Sequence, residues 1–281
     1  MKHLSLLLLL IAFQLSSFGQ DHVPELKDYQ NFVKSKTLVL LEKNPMSDFN
    51  LVIRKVMENT WTLTPYEFID DADFEAYRNN SNYSFLMITI ASFDKDRTKA
   101  RYRFLSLLRA ERGKSVRDMP DLCSLPLSYV QVEDDNYSYK IEAFLRFMQN
   151  HVQLMLDNPE LIGSDPFKFY NNKKKEELAQ KTLYLVKDDL ANDIDTEAEI
   201  RDIYPHEFKL VTPEEVAQAI RDRREDVVFL HKVGPEKTRI RARVYKVLVG
   251  AGEPSIYYFN YQMMKKAQDD AFQAKDLKKI R

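Results

Sequence analysis

Glycine and cysteine are both scarce in this chain, with six and one among its 281 residues. Few glycines leave little material for phosphate-cradling loops, which need bare backbone where amides approach the ligand. A lone cysteine excludes an internal disulfide, and the apolar neighbours of Cys123, Leu122 and Leu125, mark it as a small buried hydrophobe. Charge of one sign is also lacking. The balance of 42 Lys and Arg against 43 Asp and Glu leaves −1, which excludes bulk attraction to nucleic acid or an anionic bilayer. The five His show no i, i+4 pair of the kind that ligates zinc. There is no G-x-S-x-G elbow, no S-x-x-K with its partners and no Cys–His signature. No cofactor is expected on these grounds.

Hydrophobic content of 44%, with 12% aromatics, is ample for a packed core, and the length suits one or two domains. The first residues read as an export signal. Lys2 and His3 are followed by an apolar run from Leu4 to Leu15, then by Ser17 and Gly19 at the −3 and −1 positions of a cut before Gln20. The run is too short to span a bilayer, and no later stretch approaches the roughly 18 apolar residues a span requires. A cut there leaves no cysteine at the new amino terminus and hence no lipid anchor. The expected product is a soluble periplasmic or extracellular protein.

The remaining chain carries one pattern twice. Lys36-Thr-Leu-Val-Leu-Leu41 matches Lys181-Thr-Leu-Tyr-Leu-Val186, and Leu63-Thr-Pro-Tyr-Glu67 answers to Thr212-Pro-Glu-Glu215. Thr98-Lys-Ala-Arg-Tyr-Arg-Phe104 lines up with Thr238-Arg-Ile-Arg-Ala-Arg-Val244, and Leu125-Pro-Leu-Ser-Tyr129 faces Glu253-Pro-Ser-Ile-Tyr257. Four matches in the same order, with drifting offsets, point to a tandem duplication.

Each copy reads as β-α-β-α-β-β-β-α. Thr37–Leu41 and Thr182–Val186 are short and apolar, as in strands buried on both faces of a parallel sheet. Ser47 predicts a helix over Asp48–Glu58, and Thr196 with Glu199 forms a capping box. Thr64-Pro65-Tyr66-Glu67 and Thr212-Pro213-Glu214-Glu215 both read as capping boxes with proline at the first helical position. Strands follow at Ser84–Phe93 and Val227–Val233, then from Lys99 and Arg239, then at Leu127–Val132 and Ile256–Phe259. Closing helices are predicted over Tyr137–Leu156 and Tyr261–Ile280, the latter weakly anchored by a narrow stripe of Met264, Ala267, Ala271 and Ala274. The fold class is therefore α/β, with mixed sheets flanked by helices. The signal occupies residues 1–19, the first module 20–157, a linker and lead-in helix 158–180, and the second module 181–281.

This element order, with its export signal, resembles the α/β amino-terminal modules of periplasmic assembly proteins such as TolB and the curli-secretion lipoprotein. The resemblance implies a scaffold or partner-docking module rather than an enzyme. TolB's propeller repeats and the curli protein's lipid anchor have no counterpart in this sequence, so neither activity carries over.

Among candidate sites, an alternating basic strand stands out. Lys99, Arg101 and Arg103, and again Arg239, Arg241 and Arg243, fall at a period of two on one strand face. Such a row suits carboxylates or phosphates of a partner; equally, it suits a solvent face whose cations pair with cross-strand acids. The loop from Asp188 to Glu197 is dense in carboxylates, and Asp189, Asp193 and Asp195 make a calcium candidate, although the glycine turn of a calcium loop is missing. Acids there also suit a helix start. The run Tyr257-Tyr-Phe-Asn-Tyr261 fits either sugar stacking or a half-buried strand. Two functional readings stand: a non-catalytic protein docking a protein partner in the cell envelope, or a hydrolase of an envelope polymer whose carboxylate pair sequence does not reveal.

Overall fold

The structure, a computed structural model, describes residues 23–93, 98–133, 135–163, 166–173, 175–236 and 241–281. The first module begins with α1 (Leu26–Phe32) and the apolar strand β1 (Lys36–Leu40). Ser47 caps α2 (Asp48–Thr60) by accepting the Asn50 N–H at 3.2 Å. After it come β2 (Tyr66–Ile69), α3 (Asp71–Tyr77), β3 (Tyr83–Ala91), β4 (Tyr102–Arg109), β5 (Asp121–Tyr129), α4 (Asp135–Ser138) and α5 (Ile141–Asp157). The sheet order is β2-β1-β3-β4-β5, with β1 parallel to both β2 and β3 and the last strands antiparallel.

The second module repeats this plan. Two short helices, α6 (Pro166–Lys173) and α7 (Lys175–Leu178), lead into β6 (Thr182–Val186), α8 (Glu197–Arg201), β7 (Phe208–Val211), α9 (Pro213–Arg221), β8 (Val227–Val233), β9 (Arg243–Gly250), β10 (Ile256–Met263) and α10 (Ala274–Ile280). Its order, β10-β9-β8-β6-β7, is the first sheet's order read from the other edge. Both halves therefore have the β-α-β-α-β-β-β-α succession predicted from sequence.

Besides β5, which spans Asp121–Tyr129 rather than Leu127–Val132, three local expectations fail. Thr64-Pro65 does not start a helix. The Thr64 hydroxyl lies 2.6 Å from that of Thr37 and accepts the Trp61 indole N–H at 3.0 Å, while Pro65 O accepts the Thr37 N–H. Tyr66, Phe68 and Ile69 are strand formers, and pairing with β1 outweighs the local box. The cap falls instead on Asp70, whose carboxylate accepts the Ala72 and Asp73 N–H groups. Thr212 does cap α9, with Glu215 returning to its N–H at 2.8 Å.

Second, β4 starts at Tyr102 rather than Lys99, because Lys99 adopts a left-handed φ of 51° and interrupts the extended chain. Third, no long helix closes the second module. Strand β10 runs to Met263, and only Ala274–Ile280 is α-helical. That helix is firmly held: the wholly buried Asp276 pairs with Lys246 of β9 and accepts from Tyr258 OH at 3.1 Å and from the Gln273 N–H at 3.0 Å.

One continuous apolar core fills the seam between the sheets. Leu86 and Leu105 of the first sheet, Phe144 and Met148 of α5, and Phe229 and Val247 of the second sheet all belong to it. Each outer face has a separate core, with Phe74 of α3 on Phe85 in one and Leu277 of α10 beside Leu248 in the other. The lead-in helix α6 closes the free edge of β10. Its Asn171 amide both donates to Phe259 O at 2.8 Å and accepts from Phe259 N at 2.7 Å, as a neighbouring strand residue would. Tyr170 OH lies 2.9 Å from the buried His151 of α5.

Arg146 of α5 ties the modules directly. Its guanidinium donates to Gly252 O at 2.8 Å, Ala251 O at 2.6 Å and Ile220 O at 3.3 Å. Gly252 is required there, since a β-carbon would fall 2.3 Å from Arg223 O. Arg146→Ala should lower unfolding free energy by about 3 kcal/mol, because buried carbonyls lose charged donors. Arg146→Lys should recover little of it, since an ammonium lacks the planar fork. Urea unfolding measures both, and a lysine variant as stable as the parent would refute the clamp.

Candidate functional site

The chain reverses direction across the second sheet at β6, passing first to β7 and then back over β6 to β8. In open α/β sheets the crevice at the carboxyl ends beside such a reversal is the customary ligand position. Here charged side chains fill it. Asp189 follows β6, while His231 and Lys232 lie near the end of β8 on its opposite faces. Lys232 Nζ stands 3.2 Å from Asp270 and 3.8 Å from Asp189, with its side chain only 4% exposed. Asp270 also accepts the Glu236 N–H at 2.6 Å. Gly234 makes room for this, because a β-carbon there would lie 1.8 Å from the Asp270 carboxylate.

The first module contributes Lys140, at the junction of α4 and α5, 3.4 Å from His231 Nδ1. His231 Nε2 lies 2.9 Å from Pro126 O of β5. A carbonyl only accepts, so Nε2 carries the proton and Nδ1 takes the hydrogen bond from Lys140. The imidazole therefore bridges an ammonium and a carbonyl that both come from the other module.

Burial dominates the electrostatics. It pushes His231 well below its usual range, helped by the neighbouring Lys140 and Lys232 ammonium groups. Desolvation also lowers Lys140 from 10.5 to about 8, with Asp189 opposing the shift and Lys232 adding to it. For Lys232 burial acts downward as well, but the Asp189 and Asp270 carboxylates outweigh it and hold that ammonium raised. A lysine ionising near 8 has the basicity of a general base or nucleophile. At 3% exposure, however, no substrate reaches it without the seam opening.

Sequence reasoning found Asp189 and missed the rest. His231 is one of the histidines without a ligand spacing, and Lys140, Lys232 and Asp270 carry no signal, because pairs between distant elements have no fixed sequence spacing. The calcium candidate does not assemble. Asp189 faces Lys232, Asp195 lies 3.8 Å from Lys187, and Asp193 is exposed. Among the described residues no group of His, Cys, Asp or Glu is arranged to hold a metal ion.

The basic rows also divide. Lys99, Arg101 and Arg241 are exposed and precede their strands. Arg103 turns inward, 3.8 Å from Glu42 and 3.5 Å from Tyr137 OH. Arg243 lays its guanidinium on the Phe93 ring at 3.6 Å and near Tyr261 at 5.1 Å. Arg239 lies outside the described residues. Sheet register shifts the internal equivalence by two residues. Phe85 pairs with Leu108 and Val228 with Gly250, which sets Lys99 against Arg241 and Arg101 against Arg243.

A further displaced carboxyl, Asp121, is raised to about 6 by burial, against the opposing hydrogen bond from Ser124 at 2.6 Å. It ends a chain of hydroxyls running through Ser124 and Ser106 to Thr89.

Fold and site together define a two-module α/β protein whose buried ionisable groups join its halves. No known family, characterised protein or solved structure matches the chain.

Lys140 sets a test of this electrostatic picture. The unfolded lysine keeps its proton to near 10.5, whereas the folded one releases it from about 8. Between these values the unfolded chain binds more protons, so stability should rise with pH, by up to about 1.4 kcal/mol per unit. Urea midpoints taken from about pH 7 to about pH 9.5, below tyrosine ionisation, should show that rise. Lys140→Met should abolish it and be the more stable protein near pH 7. A rise that persists unchanged in the variant would place the titrating group elsewhere.

Proposed function

We propose that this is an exported, non-catalytic protein that works as a two-module scaffold, docking a protein partner in the cell envelope. The observation that carries this reading is the disposition of its charged groups. The ionisable side chains at the sheet's reversal point are paired and largely withdrawn from solvent, His231 with Lys140 in the seam and Lys232 with Asp189 and Asp270 on the other face of β8. Exposed cations lie instead on the outer rim of the same seam. A catalyst needs perturbed groups open to substrate, whereas a scaffold needs two modules held in fixed relation with recognition groups outside. The short, polar-flanked apolar run at residues 4–15 supports export, and no helix among the described residues is long and apolar enough to cross a membrane.

Two measurements test this. Cell fractionation should place the full chain outside the cytoplasm and retain a chain lacking residues 1–19 within it. Lysine-directed crosslinking in intact envelopes should capture a reproducible protein, and a tagged form of that protein should capture this chain in return. Cytoplasmic retention of the full chain would refute export. Failure of reciprocal capture, with purified chain degrading envelope polymer, would replace the scaffold with a hydrolase.

A further inference from the structure

The two basic rows, far apart in sequence, meet at one place. Tyr102, the first residue of β4, reaches across the seam to the first residue of β9, where its hydroxyl accepts the Arg243 N–H at 2.6 Å and donates to Arg243 O at 3.1 Å. Its ring lies edge-on to Tyr245 at 5.4 Å and near Phe93 at 6.2 Å, and Phe93 in turn carries the Arg243 guanidinium. The strand starts of both modules are thereby fixed to each other. Ala100 and Ala242, equivalent in the two sheets, are both fully buried beneath this contact.

Side chains flanking that pin point outward. Lys99 and Arg101 surround Ala100, and Arg241 precedes Ala242. Met264 N donates to Ala242 O at 2.8 Å, which brings the end of β10 alongside and sets Lys265 and Lys266 next to Arg241. All five cations are exposed, and none forms an ion pair with a described carboxylate. The neighbouring Asp269 turns its carboxylate to the Lys265 and Lys266 backbone N–H groups. Met263, 42% exposed, adds an apolar contact in their midst.

The geometry points to a single composite docking surface, built jointly by both modules from Lys99, Arg101, Arg241, Lys265, Lys266 and Met263, for an acidic segment of a protein partner. This rests on the scaffold reading and supplies the chemistry of what it docks. Arginines offer forked donors matched to carboxylates. Arginine and methionine side by side are what protein interfaces favour, whereas insertion into a lipid surface wants an amphipathic apolar face that this rim lacks. With a whole-chain charge of −1, attraction is local, within a Debye length of about 10 Å at 0.1 M salt. The surface exists only while the seam is closed, since Lys99 and Arg101 come from one module and Arg241, Lys265 and Lys266 from the other.

A fluorescein-labelled oligoglutamate titrated into the full-length mature chain tests this. One peptide should bind per chain, weakening as salt is raised. Charge reversal of Lys99, Arg101 and Arg241 to Glu should weaken binding about tenfold or more. Reversal of three exposed lysines elsewhere, Lys55, Lys209 and Lys278, should leave it within about twofold. Should the first variant misfold by circular dichroism, Lys99→Gln, Arg101→Gln and Arg241→Gln replace it with the same expectation. Equal loss in patch and control variants, two peptides per chain, or no binding by the parent would each overturn the surface. Binding to phosphatidylglycerol vesicles with oligoglutamate ignored would overturn it in favour of a membrane. Because envelope crosslinking uses no patch variant, a partner captured there alongside a failed peptide titration removes this surface and leaves the scaffold standing.

Discussion

A polar group may leave water only where something replaces the water's hydrogen bonds, and the seam between the two sheets is organised by that constraint. Aliphatic and aromatic side chains close most of the gap, but the edges of two sheets and the ends of their helices bring carbonyls and amides with them. Arg146 answers three of those carbonyls at one end, and Tyr102 answers both backbone groups of Arg243 at the other. Between them the His231 ring spans Lys140 and Pro126. Each is a donor or acceptor from one module matched to the other, so sliding the sheets by a single residue would break all of them at once. Apolar contact alone tolerates sliding; these contacts do not.

Both modules share one topology, and their differences fall where the seam demands. At the reversal point of the first sheet, Asn50 stitches the loop after β1 by bonding Glu42 and Asn44 backbone groups. At the matching place in the second sheet stands the charged group around Lys232. The residue equivalent to Arg101 is Arg243, yet one stands in solvent and the other lies against an aromatic ring from the opposite half. The two modules are similar, and where they join back to back their matching surfaces are unlike.

The sequence made the succession of elements legible because period and capping are local signals. Ser47, Thr196 and Thr212 cap the helices they were expected to cap. Thr64 misled because its Thr-x-x-Glu spacing satisfies the same local rule, while the pairing of Tyr66–Ile69 with β1, which decides the matter, is a contact between distant segments. The last helix was misplaced for a related reason. The run after Tyr261 is polar enough for a surface helix, but what orders it is Asp276 meeting Lys246, invisible until the strand and helix lie together. Of the exposed cations, Lys99, Arg101 and Arg241 could be named from their alternation, whereas Lys265 and Lys266 could not. The buried ones could not, since each has its partner in another element.

The edge of β10 has a consequence for how the molecule keeps to itself. An uncovered strand offers its amides and carbonyls to any extended chain, including another copy of itself. By imitating a neighbouring strand at Phe259, Asn171 withdraws part of that offer, and Phe167 stacks on the Phe259 ring at 3.6 Å beside it. The order of the chain matters as much as the contact. The covering helix lies between the modules and precedes the strand it covers by nearly the whole second module, so the ribosome delivers the stopper before the edge. A chain emerging from the ribosome thus carries its guard against self-pairing already ahead of the strand that needs it.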